Sequence, residues 1–219
     1  MLKIGHRGAK GYELENTLLS FQTAIDLNCN GIELDVHISL DGEIMVIHDE
    51  TINRTTSGNG FIKDFASADL KQYGIPTLTE VLDLINNRFL VNIEVKSNYC
   101  VEKVIFLIEK YVSDKHWNLD NFIISSFNWN YLEEAKMLNP NIKIGVLTED
   151  NIEKAIQFAK KINAFSINPF FKLLNKKNVD LIKKENFQIH TWTVNSKEDI
   201  IFVKSFGVNA IISDFPDRI

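Results

Sequence analysis

The chain has 219 residues, 45% of them hydrophobic and 24% charged, a balance that fits a soluble globular protein long enough to bury a sizeable core. Its formal net charge of −5, with basic residues confined to short pairs such as Lys160-Lys161, Lys176-Lys177 and Lys183-Lys184, argues against a general nucleic-acid binder. No apolar run reaches the length of a membrane span and no secretory leader is visible, while Cys29 and Cys100 lack the spacing of a zinc or redox site. The expectation is one cytoplasmic domain over residues 1–219, with no stable membrane insertion and two reduced cysteines in its core.

In chain order, short β-branched runs alternate with segments of helical period. Strands are expected at Leu2–Gly5, Gly31–Ile38, Phe89–Val95, Phe122–Ser125, Lys143–Leu147, Ala164–Ile167, Gln188–Val194 and Ala210–Ser213. Between them, apolar spacings of three and four mark amphipathic helices on Leu18, Phe21 and Ile25; on Leu78, Val81, Leu82 and Ile85; on Val101, Val104, Ile105, Ile108 and Val112; and on Ile152, Ala155, Ile156 and Ala159. Less regular helical stretches lie at Trp129–Leu138, Asn178–Lys184 and Ser196–Phe206. Thr77 and Glu80 form a capping-box pattern after Pro76, and Ser196 with Asp199 repeats that spacing before the last helix. Strands joined by helices must cross over to pair in parallel. The pattern therefore predicts a closed (β/α)8 barrel, with an open doubly wound sheet as the alternative. One stretch interrupts the rhythm. Asp41-Gly42 is a hairpin-turn signal, Glu43–Ile47 reads as a returning strand, and residues 49–74 carry glycines and threonines with little periodicity. That stretch is expected to be an insertion on the loop face, shaping a substrate entrance.

Charged residues gather where these strands end. His6 and Arg7 follow the first strand between Gly5 and Gly8, which allow a tight turn and close approach of a ligand. Residues two apart on a strand share a face, so Glu33 and Asp35 point together and Glu94 and Lys96 repeat the geometry on the next barrel strand. Three convergent carboxylates repel unless a cation sits among them, and an all-oxygen set suits magnesium or calcium. A Glu94–Lys96 ion pair is the structural alternative, though buried pairs contribute little stability. His48 ends the returning strand and brings a second imidazole to the same mouth. Two histidines beside a cation and the charges of Arg7 and Lys96 suit phosphoryl chemistry, with the imidazoles as general acid and base. No nucleophile-elbow, Walker or dinucleotide motif competes with this reading.

The ordered motifs His6-Arg7-Gly8, Glu15-Asn16-Thr17, Glu33-Leu34-Asp35-Val36, Asp41-Gly42, His48-Asp49, Arg54-Thr55-Thr56, Pro76-Thr77-Leu78, Ile93-Glu94-Val95-Lys96, Trp192-Thr193-Val194-Asn195 and Asp214-Phe215-Pro216 resemble the glycerophosphodiester phosphodiesterase family. The resemblance implies a TIM barrel with a small insertion after the second strand. It also implies hydrolysis of small-molecule glycerophosphodiesters to glycerol 3-phosphate and an alcohol. By similarity, Glu33, Asp35 and Glu94 bind magnesium or calcium, His6 and His48 are the acid–base pair, and Arg7 and Lys96 contact phosphate. Trp192 packs against the substrate or serves the core, and His37, His116 and His190 are read as structural. Leu14 stands where a proline usually precedes Glu-Asn-Thr, which bears on the shape of the first loop. A lysophospholipase D-like activity would need an apolar groove, for which Phe61, Phe65, Phe170 and Phe171 are the candidates. A non-catalytic phosphate-ligand-binding barrel would have lost a catalytic histidine or metal carboxylate, and none is missing. Self-association into a homo-oligomer is left open.

Overall fold

The β-branched runs carry apolar residues without polar alternation, the pattern of parallel strands covered on the outside by helices. In the computed structural model, which describes residues 1–219, they form one sheet. Its strands are β1 (Leu2–His6), β2 (Gly31–Ile38), β3 (Ile44–Val46), β4 (Leu90–Val95), β5 (Phe122–Ser126), β6 (Lys143–Thr148), β7 (Ser166–Pro169), β8 (Gln188–Thr191) and β9 (Ala210–Ser213). β1 pairs in parallel with both β2 and β9, so the sheet closes on itself and the open doubly wound alternative falls away. β3 is the exception, an antiparallel partner to the end of β2 through Val36–Val46 and Ile38–Ile44. The fold is a TIM barrel of eight parallel strands.

The helices are α1 (Leu18–Asp26), α2 (Ser67–Gln72), α3 (Leu78–Ile85), α4 (Cys100–Asp114), α5 (Trp129–Leu138), α6 (Ile152–Lys161), α7 (Lys176–Lys184) and α8 (Lys197–Ser205). All but α2 are crossovers between parallel strands. A core of 46 buried side chains fills the layer between strands and helices, including the full α3 stripe and both free cysteines. The capping box at α3 forms as its spacing predicts: Thr77 Oγ1 accepts from Glu80 N at 3.2 Å, and Thr77 N donates to Glu80 at 2.9 Å. No helix is long and apolar enough to cross a membrane.

Three local expectations shift. α1 turns Ser20, Phe21 and Ala24 inward instead of the Leu18/Phe21/Ile25 stripe, leaving Leu18 exposed. The reason is polar: Ser20 Oγ donates to Arg7 O at 2.9 Å, and Ser20 O accepts from Ala9 N at 3.0 Å, so this face is fixed by the first loop. The strand expected from Ala164 starts at Ser166, because Ala164 N still bonds Ala159 O at the end of α6. The strand expected to run to Val194 ends at Thr191, beyond which Trp192 keeps a single bridge to Phe170.

The stretch 49–74 is more ordered than its composition suggests. It contains a 3-10 turn at Ile62–Asp64 and the short helix α2, which at six residues is too brief to show a helical period. Met45, Ile47, Ile52, Ile62, Leu70 and Ile75 form a small separate core beneath it. Asp41 ties this unit to the β2–β3 turn, accepting from Ser39 Oγ and from both Ser67 N and Ser67 Oγ. At Gly42 the turn takes φ +81°, the left-handed region that favours glycine.

The first loop has the tightest backbone packing. Gly8 sits at φ +84°, and a Cβ there would meet the backbone of Ser20 at 2.6 and 2.7 Å. Gly8→Ala therefore combines left-handed strain with a clash that only movement of α1 can relieve, and is expected to destabilise by about 2–4 kcal/mol. Urea unfolding checks this, and a midpoint equal to the parent's would show that the loop can relax around a side chain.

Candidate active site and metal centre

Alternation along β2 and β4 sends Glu33, Asp35, Asn92 and Glu94 to the barrel interior, while Ile32, Leu34, Ile93 and Val95 face the helices. The register pairs Glu33 with Asn92 and Asp35 with Glu94, so the three carboxylates converge across two neighbouring strands. One oxygen of each lies within 4.8 Å of the others, and all three residues are buried. Burial, with repulsion from Asp35 and Glu94, pushes the Glu33 carboxyl well above the usual range. Glu94 is raised to about 7, chiefly by burial and then by Asp35. Asp35 goes the other way: burial opposes its charge, but Arg7 and Lys96 outweigh it and hold the carboxyl low.

The neighbouring donors leave this cluster incompletely satisfied. Arg7 N donates to Glu33 Oε2 at 2.9 Å, and Asn16 Nδ2 donates to Asp35 Oδ2 at 2.9 Å. Lys96 Nζ bonds Glu94 Oε1 at 2.7 Å. Asp35 Oδ1, 3.5 Å from Lys96 Nζ, is buried and receives no hydrogen bond. An unpaired carboxylate oxygen facing two carboxyls that resist ionisation is a donor set that fits a hard divalent cation. The Glu94–Lys96 ion pair, the structural alternative, is present as well, within the same cluster.

Both histidines are backed by an aspartate. His6, at the end of β1, has Nδ1 2.6 Å from Asp214 Oδ1, which makes Nδ1 the donor and leaves Nε2 toward the cavity, 3.9 Å from Glu33 Oε2. Burial lowers the His6 pKa more than the Asp214 hydrogen bond raises it, so its imidazole is neutral at neutral pH. Asp214 is positioned by Asn195, which donates through Nδ2 at 2.8 Å. His48 has Nδ1 2.7 Å from Asp49 Oδ1, and its backbone carbonyl contacts His37 Nε2 at 3.0 Å. Arg7 is held from outside the barrel: its Nη1 donates to Glu15 Oε1 at 2.7 Å. Arg54 completes this side, bonding Asp49 through Nε and Nη2 and Glu15 through Nη1 and Nη2. Burial works against the Glu15 charge, yet the two arginines hold its carboxyl at about 2.

Of the residues expected at the site, His6, Arg7, Glu33, His48, Glu94, Lys96 and Trp192 line one cavity of about 180 Å³ at the C-terminal ends of the strands, with Asp35 buried against them. Phe127, Leu147, Glu149 and Thr193 also line it. Trp192 is fixed by Nε1 donating to Asn168 O at 2.8 Å and by edge contact with Phe127. The four candidate phenylalanines do not form one groove. Phe65 packs edge-on against Tyr73, Phe170 and Phe171 pack against each other, and Phe61 lines a separate groove of about 470 Å³ beside Lys96. His190 lies deep, bonded to Gln188, with burial lowering it to about 4. Asp214, Asn16, Glu15, Asp49 and Arg54 sit in motifs visible in the sequence, but their pairings join segments up to 208 residues apart.

A model of the glycerophosphoryl diester phosphodiesterase family matches residues 6–218. A glycerophosphodiester phosphodiesterase of Caldanaerobacter subterraneus subsp. tengcongensis is 38% identical over 237 aligned positions, covering 100% of this chain and 96% of that protein. Another, from Bacillus altitudinis, is 36% identical and covers 100% of this chain and 96% of its own length. Among solved structures, an Oleispira antarctica phosphodiesterase in complex with the product sn-glycerol-3-phosphate superposes with a TM-score of 0.88 at 28% identity, over 98% of this chain and 93% of that one. With barrel, acidic cluster and full-length similarity in agreement, the chain belongs to the glycerophosphoryl diester phosphodiesterase family.

Proposed function

We propose that the chain, acting as one domain, hydrolyses small-molecule glycerophosphodiesters to glycerol 3-phosphate and an alcohol, using a divalent cation held by Glu33, Asp35 and Glu94 and two proton-moving histidines, His6 and His48. The observation that carries the reading is the buried carboxylate trio with its unpaired Asp35 oxygen, ringed by two aspartate-backed imidazoles. The family match and the relatives named glycerophosphodiester phosphodiesterase supply the substrate class. A magnesium- or calcium-type ion, when bound, neutralises the carboxylates and polarises phosphoryl oxygens.

The remaining chemistry belongs to the chain. Arg7 and Lys96 bring positive charge to the anionic diester, one beside each oxygen of Asp35. His6 exchanges a proton at Nε2, with Asp214 holding the tautomer at Nδ1 and stabilising the imidazolium once it forms. His48 does the same against Asp49. One histidine takes a proton from the water whose oxygen bonds to phosphorus, and the other returns one to the alcohol oxygen as its bond to phosphorus breaks. Trp192 and Phe127, in edge contact, give the same cavity an aromatic wall.

Two measurements test this. His48→Ala should lower turnover by about 10²–10⁴-fold while leaving far-ultraviolet circular dichroism and cation binding unchanged, since it removes a proton carrier and no ligand. Turnover equal to the parent's would remove His48 from the mechanism. The second concerns the cation. Burial and Asp35 raise Glu94 to about 7, and Glu33 is raised too, so cation binding must release protons at low pH and competes with fewer of them as pH rises. The rise in melting temperature produced by magnesium or calcium over chelator should grow as pH increases from about 5 to 8, with activity lost in chelator and recovered on adding the ion. A chelator-insensitive enzyme, or one whose melting temperature ignores both ions at every pH, would refute the metal assignment.

A further inference from the structure

Arg54 lies in the insertion, outside the barrel and off the catalytic cavity, yet it makes four side-chain hydrogen bonds. Its Nε and Nη2 reach the two oxygens of Asp49 at 2.8 and 3.0 Å. Its Nη1 and Nη2 reach the two oxygens of Glu15 at 2.9 and 2.8 Å. Each acceptor has a second task at the site. Asp49 Oδ1 faces His48 Nδ1, and Glu15 Oε1 accepts from Arg7 Nη1. A single guanidinium is therefore bonded to the carboxylate partner of His48 and to that of Arg7.

We propose that Arg54 is a positioning residue for the phosphodiesterase reaction, and that the insertion serves to carry it; the inference rests on the roles of His48 and Arg7 given above. Three further observations favour positioning over stability. The Arg54 side chain is 47% exposed, its pair with the part-exposed Asp49 contributes little to folding, and buried Glu15 keeps Arg7 as a partner when Arg54 is removed. A planar fork bonded to two carboxylates restricts both in orientation as well as in charge, which a lysine cannot do. The loop holding it is itself rigidly built. Ile52 is anchored in the small core, Ile52 N bonds Gly60 O at 3.0 Å, Thr56 Oγ1 donates to Ile52 O at 2.7 Å, and Gly60 N donates to Asn53 Oδ1 at 2.9 Å.

The test compares Arg54→Ala, Arg54→Lys and the parent on a glycerophosphodiester the parent hydrolyses, reading kcat, KM, the inhibition constant of glycerol 3-phosphate and the melting temperature. Misplacing His48 and Arg7 together should lower kcat about 100-fold and weaken product binding, with the melting temperature nearly unchanged. Arg54→Lys should stay close to Arg54→Ala, because charge without the fork does not orient the carboxylates. Guanidinium ion at concentrations well below those that unfold the protein should restore part of the activity of Arg54→Ala and none of that of a His48→Ala control. Kinetic constants matching the parent's would overturn the proposal. So would a loss that tracks a fallen melting temperature and resists guanidinium, the signature of a purely structural arginine. A parent chain inactive on every glycerophosphodiester would instead defeat the function proposed above, which separates the two failures.

Discussion

Three carboxylates share one buried region of the barrel, and most of what surrounds them answers that concentration of negative charge. Glu33 and Asp35 are two apart on one strand and Glu94 lies beside Asp35 on the next, so none can turn away without leaving the barrel interior. Charge buried in this way is tolerated only with opposing charge and hydrogen bonds around it. Arg7 and Lys96 provide the charge, while Asn16 and the Arg7 backbone N–H provide hydrogen bonds. The positive φ of Arg7, +52°, follows from the same requirement. Its backbone must turn back toward Glu33 while its side chain reaches Asp35 and Glu15. Protein donors alone leave Asp35 Oδ1 without a hydrogen bond and two carboxyls resisting ionisation, so the cluster is balanced for an added cation.

The groups that depend on local spacing were legible in the sequence. A period of two placed Glu33 and Asp35 on one face, and β2 and β9 coincide with the expected Gly31–Ile38 and Ala210–Ser213. The α3 stripe and its capping box also follow from spacing alone. What could not be read depends on register between distant segments. The His6–Asp214 pair joins the two strands that close the barrel, and nothing within either segment names the other. The same holds for Arg54, whose partners Glu15 and Asp49 meet only once the insertion folds over the first loop. α1 departs from its apolar spacing for a related reason. The Leu18, Phe21 and Ile25 stripe points to the buried face, but a hydroxyl that bonds the Arg7 carbonyl decides which side turns inward.

The insertion has a physical basis that its composition concealed. Six buried apolar side chains drawn from the returning strand β3, the stretch after it and α2 make a core too small to fold unaided. It holds because β3 is hydrogen-bonded to β2, and because Asp41 fastens the β2–β3 turn to the start of α2. This docking places His48 and Asp49 just beyond β3, with the His48 carbonyl tied to the barrel through His37. A histidine carried by a loop in this way gains rigid-element precision from the strand that precedes it.

The division of labour within the barrel follows from the same charge cluster. In many barrels branched aliphatic side chains fill the interior in layers. Here Ile4, Ala210 and Ile212 form only a small apolar plug, and the space near the site goes to Asn92, Ser125, Ser166 and Asn168. Gly145 is part of that arrangement, since a Cβ there would meet Asn168 Nδ2 at 2.6 Å. Asn92 Oδ1, Ser125 Oγ and Asn168 Nδ2 find no hydrogen-bond partner in the protein, so this layer contributes little to folding and raises the polarity next to the carboxylates. Stability is then left to the shell between strands and helices, where 46 buried residues lie outside the charged interior. Changes in that shell should be felt as folding defects, whereas changes on the inner face act first on the charge balance, because the two sets of side chains leave opposite sides of the same strands.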